Sequence, residues 1–254
     1  MNIYNELSEA IHQNKEAVLC IVTGTTGSSP RKAGSKMIVF PGRKIIGTIG
    51  GGSIEFQAIT DALDVLKNGI PMIKTFKLEE DLGMHCGGTV QVYFEPVRSH
   101  PDLYIFGAGH IGRVVARYAQ EFGFRVTLFD QRVEIFNEFD SSPYNTVCED
   151  FFAAIEKASF SEKTFSVIVT PKHEYDERIL MVLAKKPFGY LGMIGSSRKV
   201  AEVKKKMLEK EGFTQQEIDK IDMPIGVKFN AETPEEIAIS IIAKLIDVKN
   251  SLNS

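Results

Sequence analysis

Cysteine is scarce in this chain. Cys20, Cys86 and Cys148 are the only three in 254 residues, too few and too scattered for a disulfide framework or a zinc spacing. Reduced thiols and a cytoplasmic setting follow. No apolar run is long enough to span a bilayer. The polar, amphipathic start MNIYNELSEAIHQNKEA is neither a signal peptide nor a membrane anchor. Positive charge is not in excess either: a net charge of −3 argues against broad nucleic-acid binding. Internal repeats, low-complexity tracts and extended charge blocks are also missing. What is present, 43% hydrophobic and 25% charged residues, is the composition of a soluble globular protein with a substantial core. The length suits one large or two modest domains.

The most ordered pattern is LYIFGAGHIGRVVARYAQEFGFRVTLFD, Leu103 to Asp130. An apolar run, Leu103 to Phe106, suits a buried parallel strand. The turn Gly107-Ala108-Gly109-His110-Ile111-Gly112 follows, then an amphipathic helix stopped at Gly123, then a second strand ending in Asp130. This is the grammar of a dinucleotide-binding βαβ unit. Gly107 permits the tight turn. Gly109 lets backbone approach a pyrophosphate on the free N–H groups at the start of the helix, which His110 opens. Gly112 allows close packing of helix on strand, and Asp130 stands where a ribose diol is held. A Rossmann-like domain that keeps its glycines for packing alone is the competing reading.

Ahead of this unit, Ile3, Leu7, Ala10 and Ile11 mark a short helix, and Ala17 to Thr23 a strand in which Cys20 is a core residue. The loop Gly24 to Lys36 is rich in hydroxyls, glycines and cations. Ser28, Ser29, Arg31, Lys32 and Lys36 are either anion contacts or a solvated surface. A hairpin of Met37 to Phe40 and Lys44 to Ile49 leads into Gly50-Gly51-Gly52-Ser53. Ser53 is expected to cap a helix from about Ile54 to Lys67, which makes a second anion site. The turn lacks the Lys-Ser/Thr pair of a nucleotide P-loop. Glu55 is either an acceptor at its mouth or a helix-dipole partner. Strands at Pro71 to Leu78 and Thr89 to Val97 flank His85-Cys86-Gly87-Gly88. Here Cys86 is either a reactive thiolate beside an imidazole or a structural turn residue.

Arg98 to Asp102 reads as a linker, which divides the chain into domains 1–99 and 100–254. The fold class is α/β, an N-terminal mixed α/β domain followed by a C-terminal Rossmann-like doubly wound parallel sheet. Past Asp130, Cys148 is expected in the core. His173 and Asp176 are expected at the carboxyl end of the sheet, where such folds bind ligands. Gly195 to Lys199 opens another helix at a further possible phosphate-facing end, and Lys204 to Lys206 form a solvated face. Thr233-Pro234-Glu235-Glu236 starts a final helix whose Ile237, Ile241, Ile242, Leu245 and Ile246 dock on the sheet.

Taken together, GSSPRKAGSKMIV (Gly27 to Val39), GTIGGGSIE (Gly47 to Glu55), GMHCGG (Gly83 to Gly88), IFGAGHIG (Ile105 to Gly112), HEYD (His173 to Asp176), YLGMIGSSRK (Tyr190 to Lys199), PIG (Pro224 to Gly226) and TPEEIAISIIA (Thr233 to Ala243) resemble the XdhC/CoxI family. These are accessory proteins of xanthine dehydrogenase and related molybdenum hydroxylases, and the motifs span nearly the whole chain in the family's order. The resemblance implies a chaperone that binds the molybdenum cofactor, as molybdopterin or its dinucleotide form. It implies help with sulfuration by a cysteine desulfurase, delivery to the apo-hydroxylase, and a homodimer. It puts Cys86 at the molybdenum or its labile sulfur. With the loops and the βαβ unit read above, the candidate cofactor-binding set is Cys86, Arg31, Lys32, Gly51, Gly52, Ser53, Gly107, Gly109, His110, Gly112 and Asp130. One departure is Val227-Lys228-Phe229-Asn230 after PIG, where the family carries a Leu-Asp-Ile-Gly type stretch; this leaves the client hydroxylase open. The alternatives are an NAD(P)-dependent oxidoreductase and a nucleotide-sensing regulator. For these, Asp130 favours NAD and Arg132 weakens that preference.

Overall fold

The computed structural model describes residues 2–79 and 87–252. The chain divides into two compact units, Met1–Ser99 and His100–Ser254.

The first unit is an antiparallel sheet with a helix on each face. Helix α1 (Ile3–His12) starts at Asn2, whose side chain accepts the Tyr4 N–H. Strands β1 (Ala17–Thr26), β2 (Lys36–Val39), β3 (Ile45–Gly47), β4 (Met72–Lys77) and β5 (Thr89–Val97) lie in the order β3-β2-β1-β5-β4. Strand β1 runs to Thr26 rather than stopping at Thr23, because β5 pairs with it through an irregularity between Val22 and Gly24. The connecting loop is correspondingly shorter than its sequence suggests. Alternation along β1 and β2 sends Val18, Cys20, Met37 and Val39 towards α2 (Gly52–Asn68). It sends Leu19 and Ile38 to the other face, where Ile3 and Leu7 of α1 pack. Cys20 is fully buried, and burial, reinforced by the nearby Asp61 charge, pushes its thiol up to about 12. It is an inert core residue.

The second unit is a five-stranded parallel sheet. Its strands are β6 (Asp102–Phe106), β7 (Arg125–Phe129), β8 (Asn145–Val147), β9 (Thr164–Ile168) and β10 (Tyr190–Met193), in the order β10-β9-β6-β7-β8. All four pairings are parallel. The near-continuous apolar strands are buried on both faces, as parallel sheets require. Leu103 and Ile105 face α3 (His110–Glu121) and α8 (Pro234–Ser251), whereas Tyr104 and Phe106 face α4 (Phe151–Lys157), α5 (His173–Leu183) and α6 (Ser197–Lys210). Helix α8 begins at Thr233 with a complete capping box to Glu236 and Pro234 in its first turn. Its Ala238, Ile241, Ile242 and Leu245 are buried against the sheet, as their spacing predicts.

One expectation fails here. Cys148 is exposed, because it lies just past a three-residue edge strand that covers it on neither side. A short helix α7 (Gln215–Ile218), which the sequence pattern did not mark, follows α6 and is held by a Thr214–Glu217 capping box. Among the described residues no helix is long and apolar enough to cross a membrane.

Candidate functional site

In the first unit the glycine-rich segments meet. A Cβ on Gly88 would lie 2.3 Å from the Ser28 carbonyl oxygen and 2.5 Å from that of Thr26. A Cβ on Gly50 would lie 2.8 Å from Cγ of Pro30. Only glycine permits these approaches, so the loop after β1 touches both Gly88, which precedes β5, and the triple-glycine turn. Cys86 itself lies outside the described residues. Gly87, next to it in sequence, belongs to this junction: its backbone is near Gly27, and a Cβ on it would meet Glu79 Oε2 at 3.2 Å.

The triple-glycine turn closes on itself. Oε1 of Glu55 accepts the Thr48 hydroxyl at 2.5 Å and the N–H groups of Ile49, Gly50 and Gly51 at 3.1, 3.3 and 2.9 Å. Partial burial raises the Glu55 pKa, but the Thr48 hydroxyl and these N–H groups outweigh it and hold the carboxyl below its ordinary value. Part of the expected anion nest is thus filled by an internal anion. Ser53 does not cap α2. Gly51 is the cap residue, at φ 76°, and no side chain caps the helix. Chain in this left-handed conformation enters the helix earlier than a serine cap would. Among the described residues a Cβ added to Gly51 or to Gly52 would meet nothing within 4 Å, which leaves space beside both. Arg31 and Lys32 are exposed, and among the described residues neither side chain has an ion-pair partner. Ser29, Ser35 and Lys36 instead bond carbonyl groups of their own loop.

In the second unit the Gly107 turn sits at the switch point of the sheet. The chain leaves β6 towards β7 and β8 on one side, then returns to β9 and β10 on the other. Gly107 (φ 112°) is so close to the β9 exit that a Cβ would lie 2.4 Å from the Val169 carbonyl oxygen. A Cβ on Gly112 would lie 2.0 Å from the Gly107 carbonyl oxygen. Gly109, by contrast, faces open space, and His110, the first residue of α3, is exposed.

Asp130 is 1% exposed and its acceptor capacity is used internally. Oδ1 accepts Arg132 N and Nε at 3.1 and 2.9 Å, and Oδ2 accepts Ala108 N and Arg132 Nη2 at 2.9 and 2.7 Å. Burial raises its pKa, but Arg132 and the two backbone N–H groups hold it below the ordinary value.

The β9 exit carries a third cluster. Asp176 is fully buried. Its Oδ1 accepts the Thr170 N–H at 3.0 Å and the Thr170 hydroxyl at 2.6 Å. Its Oδ2 is shared by His173 Nδ1 at 3.4 Å and Lys199 Nζ at 3.3 Å. Sequence reasoning singled out His173, Asp176 and the helix start at Gly195 to Lys199, but not Thr170 or the reach of Lys199 to Asp176. Their positions just past β9 and in the first turn of the helix after β10 were the available signal. Among the described residues no group of His, Cys, Asp and Glu side chains could hold a metal ion.

Comparison with known proteins decides the family. The profile of the XdhC Rossmann domain matches residues 103–245, and that of the XdhC and CoxI family matches residues 10–77. The chain belongs to the XdhC/CoxI family. It is 32% identical to YqeB of Escherichia coli (strain K12) over 257 residues, 99% of this chain and 47% of YqeB. It is 25% identical to a probable xanthine dehydrogenase component of Bacillus subtilis (strain 168), over 65% of this chain and 48% of that protein. It is also 24% identical to the molybdenum cofactor insertion chaperone PaoD of E. coli (strain K12), over 95% of this chain and 86% of PaoD. The chain spans about half the length of the first two relatives. A crystal structure described as that of a xanthine dehydrogenase from Bacillus halodurans shares the fold, with a TM-score of 0.53 at 21% identity, covering 99% of this chain and 96% of that one.

Proposed function

We propose that this chain is a molybdenum-cofactor chaperone, which binds the cofactor and passes it to an apo molybdenum hydroxylase. The observation that carries the reading is the meeting of the Arg31/Lys32 loop with Gly88 and the Gly50 turn in the first unit. The likeness to PaoD along 95% of the chain supports it. A phosphate-bearing pterin with a dithiolene-held metal needs cations, free N–H groups, backbone it can approach closely and one soft ligand. Among the described residues Arg31 and Lys32 have no ion-pair partner, and the space beside Gly51 and Gly52 leaves room at the first turn of α2, where Ser53 lies. Cys86 is the soft ligand, a contact for the molybdenum or its labile sulfur.

In this reading a cysteine desulfurase supplies that sulfur, the protein works as a homodimer, and the setting is the cytoplasm. The second unit holds the nucleotide end of a dinucleotide form of the cofactor, or a separate NAD(P). Gly109 and His110 contact its pyrophosphate, and Gly107 and Gly112 close the turn against β9 and bring α3 onto β6. Asp130, already saturated, shapes the turn by holding Ala108 and aiming Arg132.

The test is reconstitution. Apo-hydroxylase is supplied with limiting cofactor under anoxic conditions, with and without this protein. The expected result is faster and more complete activation with the wild-type chain, diminished by the double change Arg31→Ala and Lys32→Ala. Equal activation with and without the protein contradicts the reading.

A further inference from the structure

The cluster around Asp176 has no task in cofactor handling by the first unit. It has the construction of a site. A fully buried carboxylate is costly unless its charge is matched, and here Lys199, with a side chain 17% exposed, reaches in from α6 to match it. Thr170 gives its N–H to the opposite oxygen and shares its hydroxyl between that oxygen and the Lys172 carbonyl oxygen. Lys199 also bonds the His173 carbonyl oxygen at 3.2 Å, which ties α6 to the start of α5.

The outcome is an oriented imidazole. With Nδ1 towards Asp176, His173 turns its Nε2 away from the protein, and its side chain is 78% exposed. A helix-start aspartate used only as a structural brace, its charge matched by Lys199, has no need of this exposed histidine. The cluster flanks the same crevice as the phosphate-type turn, because Gly107 packs directly on Val169 and Thr170.

We propose that His173 and Lys199 form the second pole of a nucleotide site in this unit. The ligand class is a nucleoside pyrophosphate, with one phosphate on the N–H groups at Gly109 to Ile111, since those of Gly107 and Ala108 are given to Phe129 and Asp130, and the other on the Nε2–H of a doubly protonated His173 and the remaining Lys199 donor. Asp176 is a positioning residue that touches no ligand. It accepts from Nδ1–H, which leaves the Nε2–H of the imidazolium as the donor to phosphate, and it anchors Lys199. The inference rests on the reading of the Gly107 turn as a phosphate site and is independent of cofactor binding by the first unit. The pyrophosphate has two sources, a nicotinamide dinucleotide or the nucleotide half of a pterin dinucleotide.

The experiment is calorimetric titration of the full-length protein with NAD, NADP, ADP, CDP and GDP. Wild type is expected to bind at least one of them. Preference for NAD or NADP over the diphosphates assigns the first source, and preference for CDP or GDP the second. His173→Ala, at an exposed position, should fold as wild type does and bind the preferred probe about tenfold more weakly, the loss expected for a charge-assisted phosphate contact. Asp176→Asn should also weaken binding. In addition it should shift the ring nitrogen resonances of His173 in the free protein, which a mere brace would not do. Unchanged affinity in His173→Ala overturns the proposal while leaving the Gly107 site standing. Failure of every probe to bind wild type overturns both, and the anoxic cofactor assay remains separate from either result.

Discussion

Glu55 and Asp130 perform the same physical task in different units: a carboxylate collects N–H groups from a glycine-containing turn and fixes its path. For Glu55 the two halves of the side chain separate. Oε1 is committed to the turn, and Oε2 makes no hydrogen bond among the described residues. Glu55→Gln keeps an acceptor for the turn and should change stability by less than about 1 kcal/mol. Glu55→Ala leaves Thr48 and three N–H groups without it and should cost about 1–3 kcal/mol. Urea melts of the two variants check this, and equal losses would contradict the assignment. For Asp130 the folded pKa is depressed below its ordinary 3.8. Its contribution is therefore complete above that value and is lost as pH falls through the lower folded value. Asp130→Asn should cost about 2–4 kcal/mol at neutral pH, since it breaks a largely buried pair. The deficit should shrink as both proteins are titrated below pH 3.8; a deficit independent of pH would contradict the role.

In the second unit two glycines of the turn before α3 have different duties. Gly112 is a packing residue, and Gly112→Ala should force α3 off β6 and lower the melting temperature by several degrees, consistent with about 1–3 kcal/mol of overpacking. Gly109 has ordinary φ and open space before it. Gly109→Ala should melt like wild type yet lose nucleotide affinity, because the added methyl fills the space a phosphate needs. Thermal melts and calorimetry on the same samples separate the two effects. These duties were legible in the Gly107–Gly112 spacing, as were the βαβ unit and the α8 apolar face, because each depends on neighbours in sequence. The Asp176–Lys199 pair was not. It joins residues 23 positions apart, and only the placement of β10 beside β9 brings their helices together. Cys148 was misjudged for a related reason, since its exposure follows from the edge position of β8 in the strand order. The Glu55 turn was half legible: a glycine turn before a helix was plain, but the left-handed entry at Gly51 that displaces Ser53 from the cap was not.

At the scale of the whole molecule, the chain belongs to the XdhC/CoxI family and forms two compact units. In the account proposed here the first unit handles the metal-bearing pterin and the second a nucleotide. Each unit brings glycine-rich turns against the exits of its own strands, and each has basic groups near them: Arg31 and Lys32 in one, the His173–Lys199 pole in the other. The most direct test is anoxic binding of molybdenum cofactor to purified wild-type protein and to Cys86→Ala, with molybdenum and pterin quantified after gel filtration. The account predicts stoichiometric retention of both by wild type and a sharp fall in the folded variant. Retention by neither protein contradicts the chaperone reading, and equal retention by both removes Cys86 from its centre.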